Sequence, residues 1–203
     1  MSSIVYLKSM IDKGEISTEI LRKSIHMLIA LVPLLAGLNL QLTLVMLAAG
    51  VLFYTWSEVQ RLHGRPVFLI STITTHAARV RDRDRFVLGP ITLGLGAMLA
   101  LFLYPQPAAA MAVYALAFGD GLAALVGKMF GRISIPHTGG KTIIGSLACF
   151  ATVLALALGI VHEPREAVLI ALAATGLELF PTKDMDNIIL PVGVGLLTML
   201  LML

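Results

Sequence analysis

The chain has 203 residues, 58% of them hydrophobic and only 13% charged, against about 45–50% apolar and about 25% charged in a soluble domain. With a mean hydropathy of +0.91, this composition excludes an ordinary soluble enzyme and predicts one integral membrane domain over residues 1–203. The net charge of +3 does not call for nucleic acid as a partner, because Lys and Arg of membrane proteins collect in cytoplasmic loops and face anionic headgroups.

Residues 1–23 are expected to form an amphipathic helix at the membrane surface, on the cytoplasmic side. Lys8, Asp12, Lys13, Glu15 and Glu19 interrupt the apolar residues there, so no signal peptide is expected. Ser17 or Thr18 is placed to cap the helix that follows Gly14. The transmembrane bundle is then predicted over 24–203, from seven apolar segments at 24–38, 40–56, 87–103, 107–127, 142–160, 166–180 and 188–203. A span takes about 20 apolar residues. The first, sixth and seventh segments are short by that measure and require polar extension, tilt or a locally thinned bilayer. The expected fold is therefore all-α: a polytopic bundle of about seven transmembrane helices behind an amphipathic helix.

Around the first span, "LRKSIHMLIA" puts Arg22 and His26 one helical turn apart with Lys23 alongside. A lone histidine there is ordinarily a satisfied interfacial residue; the two cations are what make His26 a candidate. After the second span, Glu58 and Arg61 share a face in "TWSEVQRLHGRP". The "ARVRDRDRF" run that follows is most simply a basic loop touching anionic lipid.

The fourth span carries Asp120 in "LAFGDGLAALVGKMFG". A carboxylate in a span costs about 2.5–3.5 kcal/mol on insertion scales unless it meets a partner or a polar cavity. Ala124, Gly127 and Gly131 lie on the same helical face, with Lys128 and Arg132 flanking its shallow end. Either a ligand lies against this bare backbone, or the glycines let helices pack closely.

Next comes "IPHTGGKTIIGSLACF". A Walker A loop needs a glycine five residues before Gly140; Ile135 stands there and an apolar span follows, so the phosphate-loop fold is excluded. The chemistry of such a loop survives. Gly139 and Gly140 free the backbone, Lys141 supplies a point charge, and the helix start at Thr142 offers N–H groups with positive dipole character. Thr142, Gly145 and Ser146 share a face. A capped helix with a positive-inside lysine explains the same letters.

In "GLELFPTKDMDNIILP", Glu178, Asp184, Asp186 and Asn187 gather three carboxylates and a carboxamide beside the suspected phosphate site. Mg²⁺ prefers a few carboxylates completed by phosphates and water. The plainer reading is a solvated loop in which Asp186 or Asn187 caps the last helix.

With seven spans, every Lys and Arg except Arg165 falls on one side of the membrane. The N-terminal segment and the site are thus expected in the cytoplasm and the C-terminus on the opposite side. No internal repeat of the kind found in transporters is visible.

Together, "RKSIH", "GDGLAALVGKMFG", "GGKTIIGS" and "ELFPTKDMDNIILP", in that order, resemble the CTP-dependent lipid-alcohol kinases: dolichol or polyprenol kinase, phytol or farnesol kinase, and CTP-dependent diacylglycerol kinase. Ile144 departs from the pattern, where many of those proteins have a glutamate. The resemblance implies transfer of the γ-phosphoryl group of CTP to the hydroxyl of a membrane lipid alcohol. It implies Mg²⁺ held by Asp120, Glu178 and Asp186, and phosphates held by Lys141, Lys128 and the helix start. Asp120, Lys141, Glu178 and His26 become the catalytic candidates. Arg22, Lys23, Gly127, Gly131, Gly140, Thr142, Gly145 and Ser146 become nucleotide contacts, with Asn187, Asp184, Glu58 and Arg61 in support. The partners are the lipid alcohol, the nucleotide, the bilayer and, as an open option, a second copy in a homodimer. The alternatives are a phosphatidate cytidylyltransferase, which also uses CTP and Mg²⁺, and a small transporter.

Overall fold

The computed structural model describes residues 16–77 and 85–203, apart from the side chain of Lys183. Most of the surface helix expected over 1–23, and the basic run over 78–84, lie outside the described residues.

Among the described residues the chain is helical, with one isolated β-bridge between Ser134 and Thr142. Helix α1 runs over Ile16–Leu38. It tightens into a 3₁₀ turn at Leu28–Leu31, just ahead of Pro33, whose ring removes the N–H that would bond back along the helix. Residues 16–23 continue into this first helix without a break. Asn39 alone turns the chain: its extended backbone ends α1, and its side chain accepts the Leu42 N–H (2.9 Å) to start α2, Leu40–Leu62. A short helix α3, Phe68–Ala77, and then α4, Gly89–Leu103, follow.

Helix α5, Ala108–Phe130, is the axis of the molecule and the most buried of the long helices. Its middle widens into a π turn, Ala115–Asp120. Helix α6, Ile143–Ile160, packs on α5 and on α7, Pro164–Glu178. A 3₁₀ turn, Lys183–Met185, leads to α8, Asp186–Leu201, which packs on α4, α5 and α7.

Helices thus form at all seven predicted spans. Four of them, α1, α2, α5 and α6, are long and apolar enough to cross a membrane, while α4 and α8 are shorter apolar helices. The core lies along α5: Met111, Leu116, Cys149, Val153, Ile170 and Val194 form one buried cluster, and Val32, Ala97, Leu101, Tyr104 and Val113 another. Large apolar side chains such as Leu34, Val45, Leu52, Phe102 and Leu147 point outward, which suits a lipid-facing surface rather than a water-facing one. Pro191, inside α8, leaves the Asn187 carbonyl without its helical donor. Gly96 accommodates that carbonyl: a Cβ there would lie 1.9 Å from the oxygen. This close α4–α8 crossing holds the start of α8 in place.

Candidate active site

Four stretches singled out in the sequence meet at one end of the bundle. They enclose a cavity of about 780 Å³, within the usual range of roughly 300–1,000 Å³ for ligand pockets.

Helix α1 contributes Arg22 and Lys23. Arg22 pairs with Glu19 one turn earlier (2.5 Å). Lys23, almost fully buried, donates to Asp120 Oδ2. Asp120 ends the π turn of α5. Its acid, too costly to leave bare in an apolar helix, is therefore partnered. His26 Nε2 lies 2.9 Å from the Leu116 carbonyl in the same turn and 3.4 Å from Asp120 Oδ2. Since the Leu116 contact requires a donor, Nε2–H is the tautomer that fits. His26 stands behind Asp120 and does not line the cavity.

The loop after α5 folds back as a short hairpin. Ile135 N–H donates to the Lys141 carbonyl (2.8 Å), Ile143 N–H to the Ile133 carbonyl (3.1 Å), and the Thr138 hydroxyl to the Ile135 carbonyl (2.8 Å). Gly139 and Gly140 make the return with φ of +73° and +96°, a conformation that glycine adopts at little cost. Lys141 then projects into the cavity and pairs with Glu178, its Nζ 3.0 Å from Oε1.

Two expectations about this region need correction. Thr142 caps α6 by accepting the Gly145 N–H (3.2 Å), and Ile133 takes the Ile143 N–H. Those two helix-start donors are therefore spent inside the protein, not offered to phosphate. Second, the bare face of Gly127, Gly131 and Gly145 is mostly filled. A Cβ on Gly131 would lie 2.5 Å from Thr142 Cγ2, one on Gly127 2.9 Å from Thr142 Oγ1, and one on Gly145 2.7 Å from the Ala123 carbonyl. These glycines border the cavity, yet their main work is to let α5 and α6 cross closely.

Glu178 ends α7; Asp184 lies in the 3₁₀ turn and Asp186 opens α8. All three reach the cavity wall. Asn187 also lines it while its amide donates to Thr92 Oγ1 (3.0 Å) and the Gly89 carbonyl (3.3 Å), tying the site to α4. Glu58 and Arg61 are not there. Arg61 makes a two-pronged contact with Glu58 (2.8 Å each), and Glu58 also accepts the Val87 N–H (2.8 Å). That pair fastens the entry to α4 instead of supporting the cavity.

Among the described residues, Arg22 Nε, Ser146 Oγ, Glu178 Oε2 and Thr182 Oγ1 are buried without a hydrogen-bond partner, and all four residues line this cavity. Buried polar atoms are normally satisfied, so their concentration marks a place built for a polar ligand. Thr182, Thr138 and Glu19 escaped the sequence reading; only the i,i+3 spacing of Glu19 and Arg22 offered a signal.

The wall carries the cations Arg22, Lys23, Lys128 and Lys141 and the anions Glu19, Asp120, Glu178, Asp184 and Asp186. A bare polyphosphate would be repelled by so many carboxylates; one that arrives with a divalent cation would not. Among the described residues no three His, Cys, Asp or Glu side chains preassemble a metal site. The hard oxygen donors Asp120, Glu178 and Asp186 in one cavity, with Glu178 Oε2 unpartnered, fit the Mg²⁺ habit of taking a carboxylate or two and completing its shell with phosphate and water.

No family model matches the chain, and no solved structure matches it. Over 151 residues, 66% of the chain, it is 29% identical to a protein of Triticum aestivum described as "Probable phytol kinase, chloroplastic". The aligned stretch is 49% of that protein, so the chain spans about half the length of this relative.

Proposed function

We propose that the chain is a membrane-embedded kinase that transfers the γ-phosphoryl group of a nucleoside triphosphate, CTP in the first instance, to the hydroxyl of a lipid alcohol. The observation that carries the proposal is the cluster of buried polar atoms left without hydrogen bonds in one cavity at the end of an otherwise apolar bundle. The likeness to a named phytol kinase supports the same reading.

Phosphoryl transfer asks a protein mainly for positioning and charge neutralisation. Lys141 and Arg22, with Lys128 at the loop side, bind the phosphate oxygens, and the Ser146 hydroxyl donates to them. Asp120, Glu178 and Asp186 would hold Mg²⁺, which would supply neutralisation of the phosphate charge. The alcohol oxygen attacks the γ-phosphorus as the bond to the β-phosphate oxygen breaks, and its proton leaves to a cavity carboxylate. A tail left among apolar helices while only the hydroxyl enters the polar cavity accounts for building such an enzyme from spans.

In this reading α4, α7 and α8 also cross, giving seven crossings, with the cavity on the cytoplasmic side. A 15-residue helix such as α4 rises about 22 Å, so the bilayer thins around it. Single cysteines placed at Gln106 and at Gly64 should then react with an impermeant maleimide from opposite sides of sealed vesicles; labelling of both from one side rejects this topology.

The decisive assay uses purified protein, γ-labelled CTP or ATP, Mg²⁺ and a panel of lipid alcohols. Label in the lipid, lost on chelation and restored by Mg²⁺, is the expected result. Label in pyrophosphate would instead indicate cytidyl transfer, and no transfer to any alcohol would reject the kinase reading.

A further inference from the structure

A second hollow adjoins the polar cavity. It occupies about 210 Å³ between α1, α2, α3 and α4, with Tyr54 of α2 in its wall, and Ile25, Ile70, Ile73 and Leu93 give it an apolar lining. The two spaces share three residues, Arg22, Asp184 and Asn187. His26 stands in the wall of the smaller one, and its ring contacts Asp120 from there at 3.4 Å. One volume is thus suited to phosphate and the next to hydrocarbon, with a polar seam between them.

We propose that this hollow receives the first carbons of the acceptor's apolar chain and thereby aims the hydroxyl through the seam at the phosphates. The proposal rests on the kinase reading and adds the acceptor subsite to it. Three features argue for a substrate chain rather than a packing flaw. The shared wall of Arg22, Asp184 and Asn187 places a hydroxyl bound at the seam beside the polar cavity that Asp120 and the cations line. Helix α3 carries outward apolar side chains at Phe68 and Leu69, a surface that suits lipid tails, and an acceptor chain entering the hollow passes beside it. Ile25 and Ile73 are both over a third exposed (37% and 42%), so the walls are open to a chain rather than closed around a core. Ile70, Ile73 and Leu93 then determine how bulky a chain is accepted near its hydroxyl, with His26 and Asn187 as positioning residues at the seam.

The test uses the full chain in lipid nanodiscs with a long-chain alcohol carrying a diazirine near the hydroxyl. Crosslinks are expected on α1, α3 and α4 around Ile25, Ile73 and Leu93, competed by unlabelled alcohol and not by phosphatidylcholine. Crosslinks away from the residues that line the hollow overturn the proposal, as does equal competition by phosphatidylcholine, which would make the hollow a site for bilayer lipid tails. Ile73→Trp fills the hollow from a half-exposed position. It should raise KM for a branched alcohol by about 10–200-fold, the scale of misfitting one methylene in a pocket, while nucleotide affinity stays unchanged. Leu147→Trp, on the outer face of α6, is the matched control and should change neither. Crosslinking needs no turnover, so its pattern stands even if no phosphoryl transfer is found, and a failure of the kinase reading is thereby told apart from a failure of this one.

Discussion

The buried pair of Lys23 and Asp120 permits a quantitative test. Their relative exposures are 3% and 6%, so each charge has little water to fall back on once its partner is removed. Breaking such a pair from one side costs about 3–5 kcal/mol, whereas replacing both charges is often neutral or favourable. Lys23→Met and Asp120→Asn should therefore each lower the unfolding midpoint in detergent by roughly 6–20 °C, taking about 2–4 °C per kcal/mol for a chain of this size. The double variant should recover most of that loss. Activity should not follow stability: both variants that lack the Asp120 carboxylate, the double variant included, should be inactive in phosphoryl transfer although the double variant folds. The measurement is a double-mutant cycle on unfolding midpoints, with transfer assayed on the same samples. Simple additivity of the two single losses would refute a direct pair, and an active double variant would refute a catalytic role for Asp120.

Four further outcomes follow from other positions. Lys141→Ala removes the ammonium that pairs with Glu178 and faces the cavity; turnover should fall about 10²–10³-fold, as when one transition-state donor is deleted, read in steady-state kinetics. Gly131→Ala forces a Cβ against Thr142 and should cost about 1–3 kcal/mol. Gly50→Ala, in the middle of α2, meets nothing within 4 Å and should gain about 0.5–1 kcal/mol as a helix-interior site, both read as shifts in the unfolding midpoint. Glu58→Gln weakens the contacts with Arg61 and the Val87 N–H and should cost about 1.5–3 kcal/mol, with nucleotide affinity unchanged in a binding assay.

The components of the site were legible because charges stand out in an apolar chain. Arg22, Lys23, Asp120, Lys141, Glu178 and Asp186 are each too costly to place among helices without a purpose, and all of them line one cavity. Partnerships were not legible. Lys23 and Asp120 are 97 residues apart, and no local pattern says that this lysine, rather than Arg22 beside it, reaches the acid. Glu58 was misjudged for the related reason that an i,i+3 ion pair looks the same whether it lines a cavity or fastens a turn at Val87. Span lengths were imperfectly readable as well. Helix α1 extends back to Ile16 through Arg22 and Lys23, whose polarity suggested a boundary, because Glu19 and Asp120 neutralise them inside the fold.

The glycines show the same limit and also its consequence. Gly131 and Gly140 stand in one short loop, yet one is needed for room beside Thr142 and the other for a φ of +96°. The sequence shows the same letter for both. The close α5–α6 crossing that Gly127, Gly131 and Gly145 permit is not separate from the chemistry, however. It lays Thr142 against α5, and Thr142 is the residue from which α6 starts and to which Lys141 is joined. A side chain on any of these glycines would push the start of α6 outward and carry Lys141 away from Glu178 and the wall that holds Asp120. The glycine face therefore shapes the cavity from behind, by fixing how far Lys141 stands from the carboxylates across it.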